Sequence, residues 1–288
     1  MRGPLAGVGA VIVHYRRWPE TSSTVQDVLH GDIDPRLVVV VDNGSKDADA
    51  DEFTALFPDC SWISGHGNIG YAGAVNLGVR HLRNLGVDLV LVLTHEVRFA
   101  PELPRQLREA LNAAEGADAA APRLRRLSAP DAVWSEGGDL NRFTCLPRSR
   151  ETLVDSQPQW VDGCCFMVSV DAFTAIGGMY EPYFLYMEEV DFFVKLRDSG
   201  RHLLIVPDAF ALQEPGSMSL HHATRNRVLL AYRVGKRGSR AFVVLETLVR
   251  LLHGYALRRG AENRSKQAER WRALREGVQA GRASRRRS

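Results

Sequence analysis

The sequence has only four cysteines, Cys60, Cys145, Cys164 and Cys165, and their spacing fits no metal-binding framework. With no secretory leader ahead of them, they are expected to be reduced thiols of a cytosolic protein. No apolar run reaches the roughly 18 residues that a membrane-spanning helix requires. The longest candidate, Ala241–Leu257, is broken by Glu246, Arg250 and His253 and reads as an amphipathic helix. Also missing are a Walker A loop and the dinucleotide fingerprint, so the generic phosphate-binding rules do not settle any glycine segment here. Internal repeats are absent.

What is present has ordinary proportions and an uneven charge. At 288 residues the chain suffices for one large domain, or one domain with a helical tail. An apolar content of 45% with 25% charged residues places it among soluble globular proteins. Residues 225–288 carry 18 Lys/Arg against 4 Asp/Glu, whereas residues 1–224 carry 19 against 30. A basic tail on an acidic body suits a polyanion or an anionic membrane surface as neighbour, or else a solvated tail. Within it Trp271, Leu274 and Val278 recur at helical spacing among Arg270, Arg272 and Arg275. That pattern fits peripheral contact with the inner face of a membrane, a partner subunit (a homodimer in the simplest case), or packing back on the body. The final residues, Arg282–Ser288, are expected to be disordered, and no nucleic-acid partner is expected.

Short apolar runs alternate with helical patterns through the first half. Val8–Val13, Leu37–Val41, Trp62–Ile63, Leu89–Leu93 and Ala119–Ala121 read as strands, separated by helices near Ser22–Leu29, Ala48–Leu56, Tyr71–Leu85 and Glu102–Ala113. This rhythm predicts a doubly wound α/β fold, its mainly parallel sheet covered by helices on both faces. Residues 123–160 read as loops or a hairpin. A strand at Cys165–Val168, helices at Asp171–Ile176 and about Glu188–Ser199, and a strand Leu203–Val206 ending at Pro207 follow. Residues 1–220 are thus expected to form the α/β domain and 221–288 a helical, basic C-terminal extension. In such sheets ligands bind beyond the carboxyl ends of the strands, so residues just after strands carry the most functional weight.

Four segments stand at such places. In Val41-Asp42-Asn43-Gly44-Ser45 the carboxylate either accepts hydrogen bonds from a nucleobase or ribose, or closes an Asx turn. In Gly67-Asn68-Ile69-Gly70-Tyr71-Ala72-Gly73 the small residues either admit a ligand to backbone amides at a helix start, or serve helix–sheet packing. In Thr94-His95-Glu96 polar residues end an apolar strand, and the carboxylate is a candidate for Mg²⁺ or Mn²⁺ bridging a diphosphate. In Tyr183-Phe184-Leu185-Tyr186-Met187-Glu188-Glu189-Val190-Asp191 three acids fall within four positions. Close carboxylates raise one another's pKa and suit general-base work; acids are equally favoured in the first turn of a helix by its dipole.

In this order the four segments resemble family 2 glycosyltransferases of the GT-A fold, and most closely bacterial rhamnosyltransferase-like enzymes, over roughly residues 8–230. The resemblance implies that Val13, His14 and Tyr15 open a nucleotide site and that Asp42 and Asn43 contact the base. It implies that Asn68, Gly70, Tyr71, Gly73 and Asn76 line the donor pocket with Thr94 and His95. Asp162 and Gly163 lie in the segment bordering donor and acceptor, and with Trp134 are the expected acceptor-side residues. Glu189 matches the second acid of the family's Glu-Asp pair, its usual catalytic base, with Glu188 and Asp191 beside it. Gly177-Gly178, Leu196-Arg197 and Arg225-Asn226 also match. The implied reaction is an inverting transfer of a sugar from a nucleoside-diphosphate sugar, dTDP or UDP favoured, to a hydroxyl of a glycan or small natural product.

Two departures bear on the metal. The family commonly has Asn-Pro-Asp or an Asp-x-Asp variant where this chain has Thr94-His95-Glu96, and a His near the position of Gln213-Glu214. Glu96, with Glu214 as a second oxygen donor, is the expected Mg²⁺ or Mn²⁺ site, and Arg or Lys side chains are the alternative for neutralising a diphosphate. The same departures suit a catalytically inactive nucleotide-sugar-binding protein, which the intact acidic cluster argues against. A sugar-phosphate nucleotidyltransferase would carry a glycine-rich basic loop after its first strand. Here His14-Tyr15-Arg16-Arg17 supplies charge and no glycine.

Overall fold

The computed structural model describes residues 5–45, 47–152, 157–216, 218–257 and 261–286. In chain order the first half runs β1 (Val8–His14), α1 (Trp18–His30), β2 (Val38–Asp42), α2 (Asp47–Leu56), β3 (Ser61–Ile63), α3 (Gly70–Asn84), β4 (Leu89–Thr94), β5 (Arg98–Phe99) and α4 (Leu103–Ala113). The second half begins with β6 (Ala117–Arg125), β7 (Val133–Ser135), β8 (Gly138–Asn141), β9 (Leu146–Ser149), β10 (Cys165–Ser169) and α5 (Val170–Ala175). It ends with α6 (Glu188–Asp198), β11 (His202–Leu212), α7 (Leu220–Arg233), α8 (Ser239–Leu257) and α9 (Ala261–Ser284).

The main sheet has the order β3-β2-β1-β4-β10-β6-β11-β5, with β7 on the outer part of β6. β3, β2, β1 and β4 are mutually parallel, and β6 is parallel to β11. β10 enters antiparallel between β4 and β6, so the residues leading into it share an edge with the carboxyl ends of the parallel strands. Alternation splits the strands between two cores, as a sheet covered on both faces requires. Val11, Val39 and Val92 face one side with α3, α5 and α6, while Ile12, Val40 and Leu93 face α1, α2 and α4. Gly78 has a packing role: a Cβ there would lie 2.5 Å from Val11 Cγ1, so only glycine lets α3 sit this close to β1.

The segment 123–160 contains a β8–β9 hairpin, as the turn-rich composition suggests. The strand expected to end at Pro207 instead continues to Leu212. A register shift between Val206 and Phe210 accommodates the proline, which lacks the N–H a regular ladder needs. The end expected to be disordered is helical through Ser284, while Arg287 and Ser288 lie outside the described residues. Among the described residues no helix is long and apolar enough to cross a membrane.

The C-terminal helices pack on one another and on the body. Leu274 is buried and Val278 packs against the core, so these positions of α9 turn inward rather than to a membrane. Gly277 and Gly281 let α9 approach α7 closely, since Cβ atoms there would meet Arg225 O at 2.7 Å and the Tyr232 ring at 2.4 Å. α7 in turn docks through a buried ion pair in which Arg233 Nε lies 3.0 and 2.9 Å from the two oxygens of Asp191. Removing one partner of a buried pair strands the other charge. The Asp191→Ala variant is therefore expected to lose about 3–5 kcal/mol of stability, read as a lower urea midpoint at unchanged slope.

Candidate active site

The carboxyl ends of β1, β2, β4, β6 and β11 and the start of β10 meet at one edge of the sheet. There they open a cleft of about 520 Å³ lined by Val13, Tyr15, Asn43, Asn68, Gly70, Tyr71, Thr94, His95, Glu96, Trp134, Asp162, Gly163, Cys164, Phe184, Leu185, Tyr186, Glu188, Glu189, Gln213 and Gly216. The segments flagged in the sequence are separated by scores of residues and converge because their strands do.

The far wall depends on a strained loop. Phe184, Tyr186 and Met187 all take positive φ (69°, 71° and 71°), a region that costs a non-glycine residue energy and persists only when its surroundings enforce it. Those surroundings are Gly70 and Asn226. A Cβ at Gly70 would stand 2.3 Å from Phe184 O, and the Tyr71 amide donates to that same carbonyl at 2.7 Å. The buried Asn226 amide donates to Tyr183 O, Leu185 O and Tyr186 O at 3.2, 2.8 and 2.8 Å. Arg225 donates to Pro182 O at 2.6 Å and to Asn226 Oδ1 at 2.6 Å, fixing the orientation of the amide. Met187, in left-handed conformation, then starts α6 with Glu188 and Glu189 directed at the cleft.

Burial raises the pKa of both acids. Glu188 is 2% exposed, and its Oε2 has no hydrogen-bond partner among the described residues. Desolvation pushes its pKa to about 7. Glu189 is raised by desolvation first and by the neighbouring Glu188 charge second. Asp162 is raised to about 6 by burial, against a hydrogen bond from Ser135 that favours its charged form. Gly163 makes room here: a Cβ would lie 3.3 Å from Tyr71 Cε1 and 3.5 Å from Glu189 Cβ. The Tyr71 hydroxyl donates to Gly163 O.

At the end of β4, Glu96 Oε2 pairs with Arg17 Nη1 at 3.1 Å and Oε1 accepts from Gln213 Nε2 at 3.2 Å. Gln213 Nε2 also lies 3.3 Å from Thr94 Oγ1. His95 Nδ1 lies 3.3 Å from Val13 O, and burial lowers the ring's pKa, so the neutral ring donates there from Nδ1 and keeps Nε2 as an acceptor.

Several expected site residues have other duties. Asp191 is committed to Arg233 on the core side of α6 and does not line the cleft. His14 is fully buried, with Nδ1 2.6 Å from Thr21 Oγ1 and Nε2 3.3 Å from Asp49. Asp42 accepts from the Ser45 amide at 2.8 Å, the Asx-turn arrangement, and is buried outside the cleft lining. Gly73 packs against Ile69. Asn76 holds Met179 through both ends of its amide, at 2.9 and 2.8 Å, so it fixes the turn after α5. Glu214 accepts from the Ser128 amide at 2.5 Å and is exposed away from Glu96, because the peptide after Gln213 turns outward.

Some lining residues carried no site assignment in the sequence. Phe184, Leu185 and Tyr186 were visible only as aromatics before the acids, and their place in the cleft follows from the positive-φ turns. Gln213 and Gly216 follow a strand whose end Pro207 disguises. Ser135, buried behind the lining where it donates to Asp162, gave no signal at all.

The residues expected to hold a divalent cation do not build a site for one. Glu96 is a single carboxylate with both oxygens engaged, and Glu214 faces elsewhere. Among the described residues no cluster of three or more His, Cys, Asp or Glu side chains is arranged to hold a metal ion.

The parallel half-sheet extended by an antiparallel strand is shared with solved glycosyltransferases of the GT-A fold. Solved structures of this fold include GalNAc-T7 with UDP, GalNAc and Mn²⁺ (TM-score 0.60, 15% identity, 76% of this chain and 47% of that one). The mannosyltransferase PcManGT of Pyrobaculum calidifontis with GDP-Man and Mn²⁺ gives 0.56 at 13% identity, over 97% of this chain and 87% of that one. The family profile described as Glycosyl transferase family 2 matches residues 10–176, and the chain belongs to that family, as a glycosyltransferase. It is 26% identical over 235 residues to the N-acetylglucosaminyl-diphospho-decaprenol L-rhamnosyltransferase of Mycobacterium tuberculosis, covering 69% of this chain and 76% of that protein. It is 30% identical over 164 residues to the low-salt glycan biosynthesis hexosyltransferase Agl10 of Haloferax volcanii, covering 55% and 52%.

The raised acids make stability depend on pH. An acid whose pKa rises on folding binds more protons in the native than in the unfolded state between its two pKa values, so stability falls as pH rises through that window. For Glu188 the window runs from 4.5 to about 7. Glu188→Gln is expected to flatten the fall in Tm across this range and to leave the variant more stable than wild type above it. Thermal melts at a series of pH values check this, and an unchanged slope would count against a buried ionisable Glu188.

Proposed function

We propose that the protein is an inverting glycosyltransferase in which Glu189 acts as general base on an acceptor hydroxyl. What carries this reading is the acid pair Glu188–Glu189 at the cleft, beside Gly163 and Tyr71, in a family 2 chain. A proton passes from the acceptor hydroxyl to Glu189. The acceptor oxygen bonds to the anomeric carbon as the bond from that carbon to the phosphate oxygen breaks, and the nucleoside diphosphate leaves with the electron pair. Burial raises the proton affinity of Glu189, and a carboxylate of raised pKa is the stronger base once ionised. Glu188 beside it raises that basicity further, and Phe184, Leu185 and Tyr186 keep one wall of the cleft apolar.

For the donor we favour a dTDP- or UDP-sugar held by Val13, Tyr15, Asn43, Asn68, Gly70, Thr94 and His95. For the acceptor we favour a glycan, free or lipid-linked, met by Trp134, Asp162 and Gly163. The rhamnosyltransferase likeness supports the first, and its diphospho-decaprenol acceptor the second. We assign catalysis to residues 1–220. The extension 221–288 supports it through Arg225 and Asn226.

The solved neighbours hold Mn²⁺ with their nucleotides, but the donor set around Glu96 does not fit such an ion, and no step is derived through one. Cationic side chains suit the leaving group's charge; Arg17, 58% exposed at its side chain and resting on Glu96, is one guanidinium at this rim, and Arg16 stands over the ring of Tyr15 beside it.

Glu189→Gln is expected to bind the donor as wild type does, by calorimetry, while losing about 10²–10⁴-fold in turnover. Wild-type turnover in that variant would falsify the assignment of the base. Arg17→Ala is expected to raise the donor KM by about tenfold, the scale of one charged hydrogen bond. Activity in excess EDTA should persist in wild type; its complete loss would show that a cation brought by the nucleotide neutralises the diphosphate. Proton NMR of the product's anomeric signal tests inversion.

A further inference from the structure

The exposed face of α8 carries an apolar stripe that neither the core nor the cleft employs. With 3.6 residues per turn, Ala241, Phe242, Leu245, Val249 and Leu252 fall within a sector of about 100°. Phe242, Leu245, Val249 and Leu252 are 37, 63, 55 and 69% exposed, whereas Val243, Thr247 and Leu251 on the opposite side are buried. The stripe continues onto the β8–β9 hairpin. Phe143 packs on Phe242 with ring centroids 5.0 Å apart, and Phe143 and Leu146 are themselves exposed.

Charge around the stripe has one sign. The single acid of α8, Glu246, is bound by Arg227 from the body and by Arg250 from its own helix. Lys236 and Arg237 are exposed in the turn that leads into α8, and Arg250 stands on its flank with a side chain 65% exposed. The same segment of the chain carries the strong basic excess.

We infer that this face is an interfacial membrane-docking surface that seats α8 on an anionic phospholipid bilayer, with Phe242, Leu245, Val249 and Leu252 among the acyl chains and Lys236 and Arg237 at the headgroups. A helix with a wide apolar face and a basic border lies in the plane of such an interface, its apolar side about 5–10 Å deep. A second copy is the poorer occupant. Two-fold pairing through this stripe would leave the exposed Lys236 and Arg237 without an anionic partner, because the single acid of α8 is already bound by Arg227 and Arg250. On α9 the corresponding face is narrower, with Trp271 exposed but Leu274 and Val278 used against the body. The inference stands apart from the transfer reaction, since vesicle binding and turnover are measured separately.

The test is sedimentation of the full chain with vesicles of phosphatidylcholine alone and of phosphatidylcholine mixed with phosphatidylglycerol. Wild type is expected to pellet with the anionic vesicles, and less so as salt rises. The double variant Leu245→Asn/Leu252→Asn is expected to bind at least about tenfold more weakly at every salt concentration, since partitioning scales with buried apolar area. Lys236→Gln/Arg237→Gln, two exposed changes that leave the stripe whole, should lose the preference for anionic lipid. Wild type remaining in the supernatant with anionic vesicles would overturn the inference, as would equal binding by the leucine variant when circular dichroism shows it folded. So would light scattering that shows a wild-type dimer converted to monomer by the leucine changes, which would make the face a contact between copies.

Discussion

Three backbone carbonyls, those of Tyr183, Leu185 and Tyr186, converge on the side-chain amide of Asn226, and the cleft depends on that convergence. Without a buried donor at that point, the chain between Tyr183 and Glu188 has no reason to hold three positive-φ residues. A relaxed loop would start α6 on a different heading and carry the acid pair with it. The constraint therefore runs from a helix in the C-terminal extension, through hydrogen bonds, to the acids at the opening. Gly70 completes it from the other side, because the same loop passes too close to α3 for any side chain there.

Electrostatics divides the acids of α6 between two purposes. Asp191 faces the core and is matched by a guanidinium that docks α7, so its charge is spent on assembly. Glu188 and Glu189 face the cleft with no cation paired to them among the described residues, so burial, and for Glu189 also the Glu188 charge, raises their affinity for protons. Three acids in four positions look alike in a sequence. Which one is neutralised depends on a residue some 40 positions away, and only the folded chain brings Arg233 there.

The fold was largely legible. Continuous apolar runs marked β2 and β4 as strands covered on both faces, and the alternation with helices set the parallel half of the sheet. Legibility failed where a local rule met tertiary support, as at Pro207, where a bulge lets β11 continue. At the cleft, Asn43, Thr94 and Glu96, at or just past the ends of strands, line the opening as their position suggests, whereas Gly163, just ahead of β10, was marked only by the family resemblance. For polar residues inside or behind the rim the internal partners were not legible, because a hydrogen bond to Thr21, Ser45 or Met179 leaves no trace in the local pattern of His14, Asp42 or Asn76. Ser135 and the Asn226 clamp are likewise products of long-range closure.

The antiparallel entry of β10 has a consequence for how such a protein diversifies. Since β6 leaves the sheet and β10 returns to it at the same edge, the whole excursion between them, with β7 and the β8–β9 hairpin, is anchored at the mouth of the cleft at both ends. The length and content of that excursion can therefore change while β10 keeps its registers with β4 and β6, so one side of the mouth can be rebuilt without moving the strands that form the other.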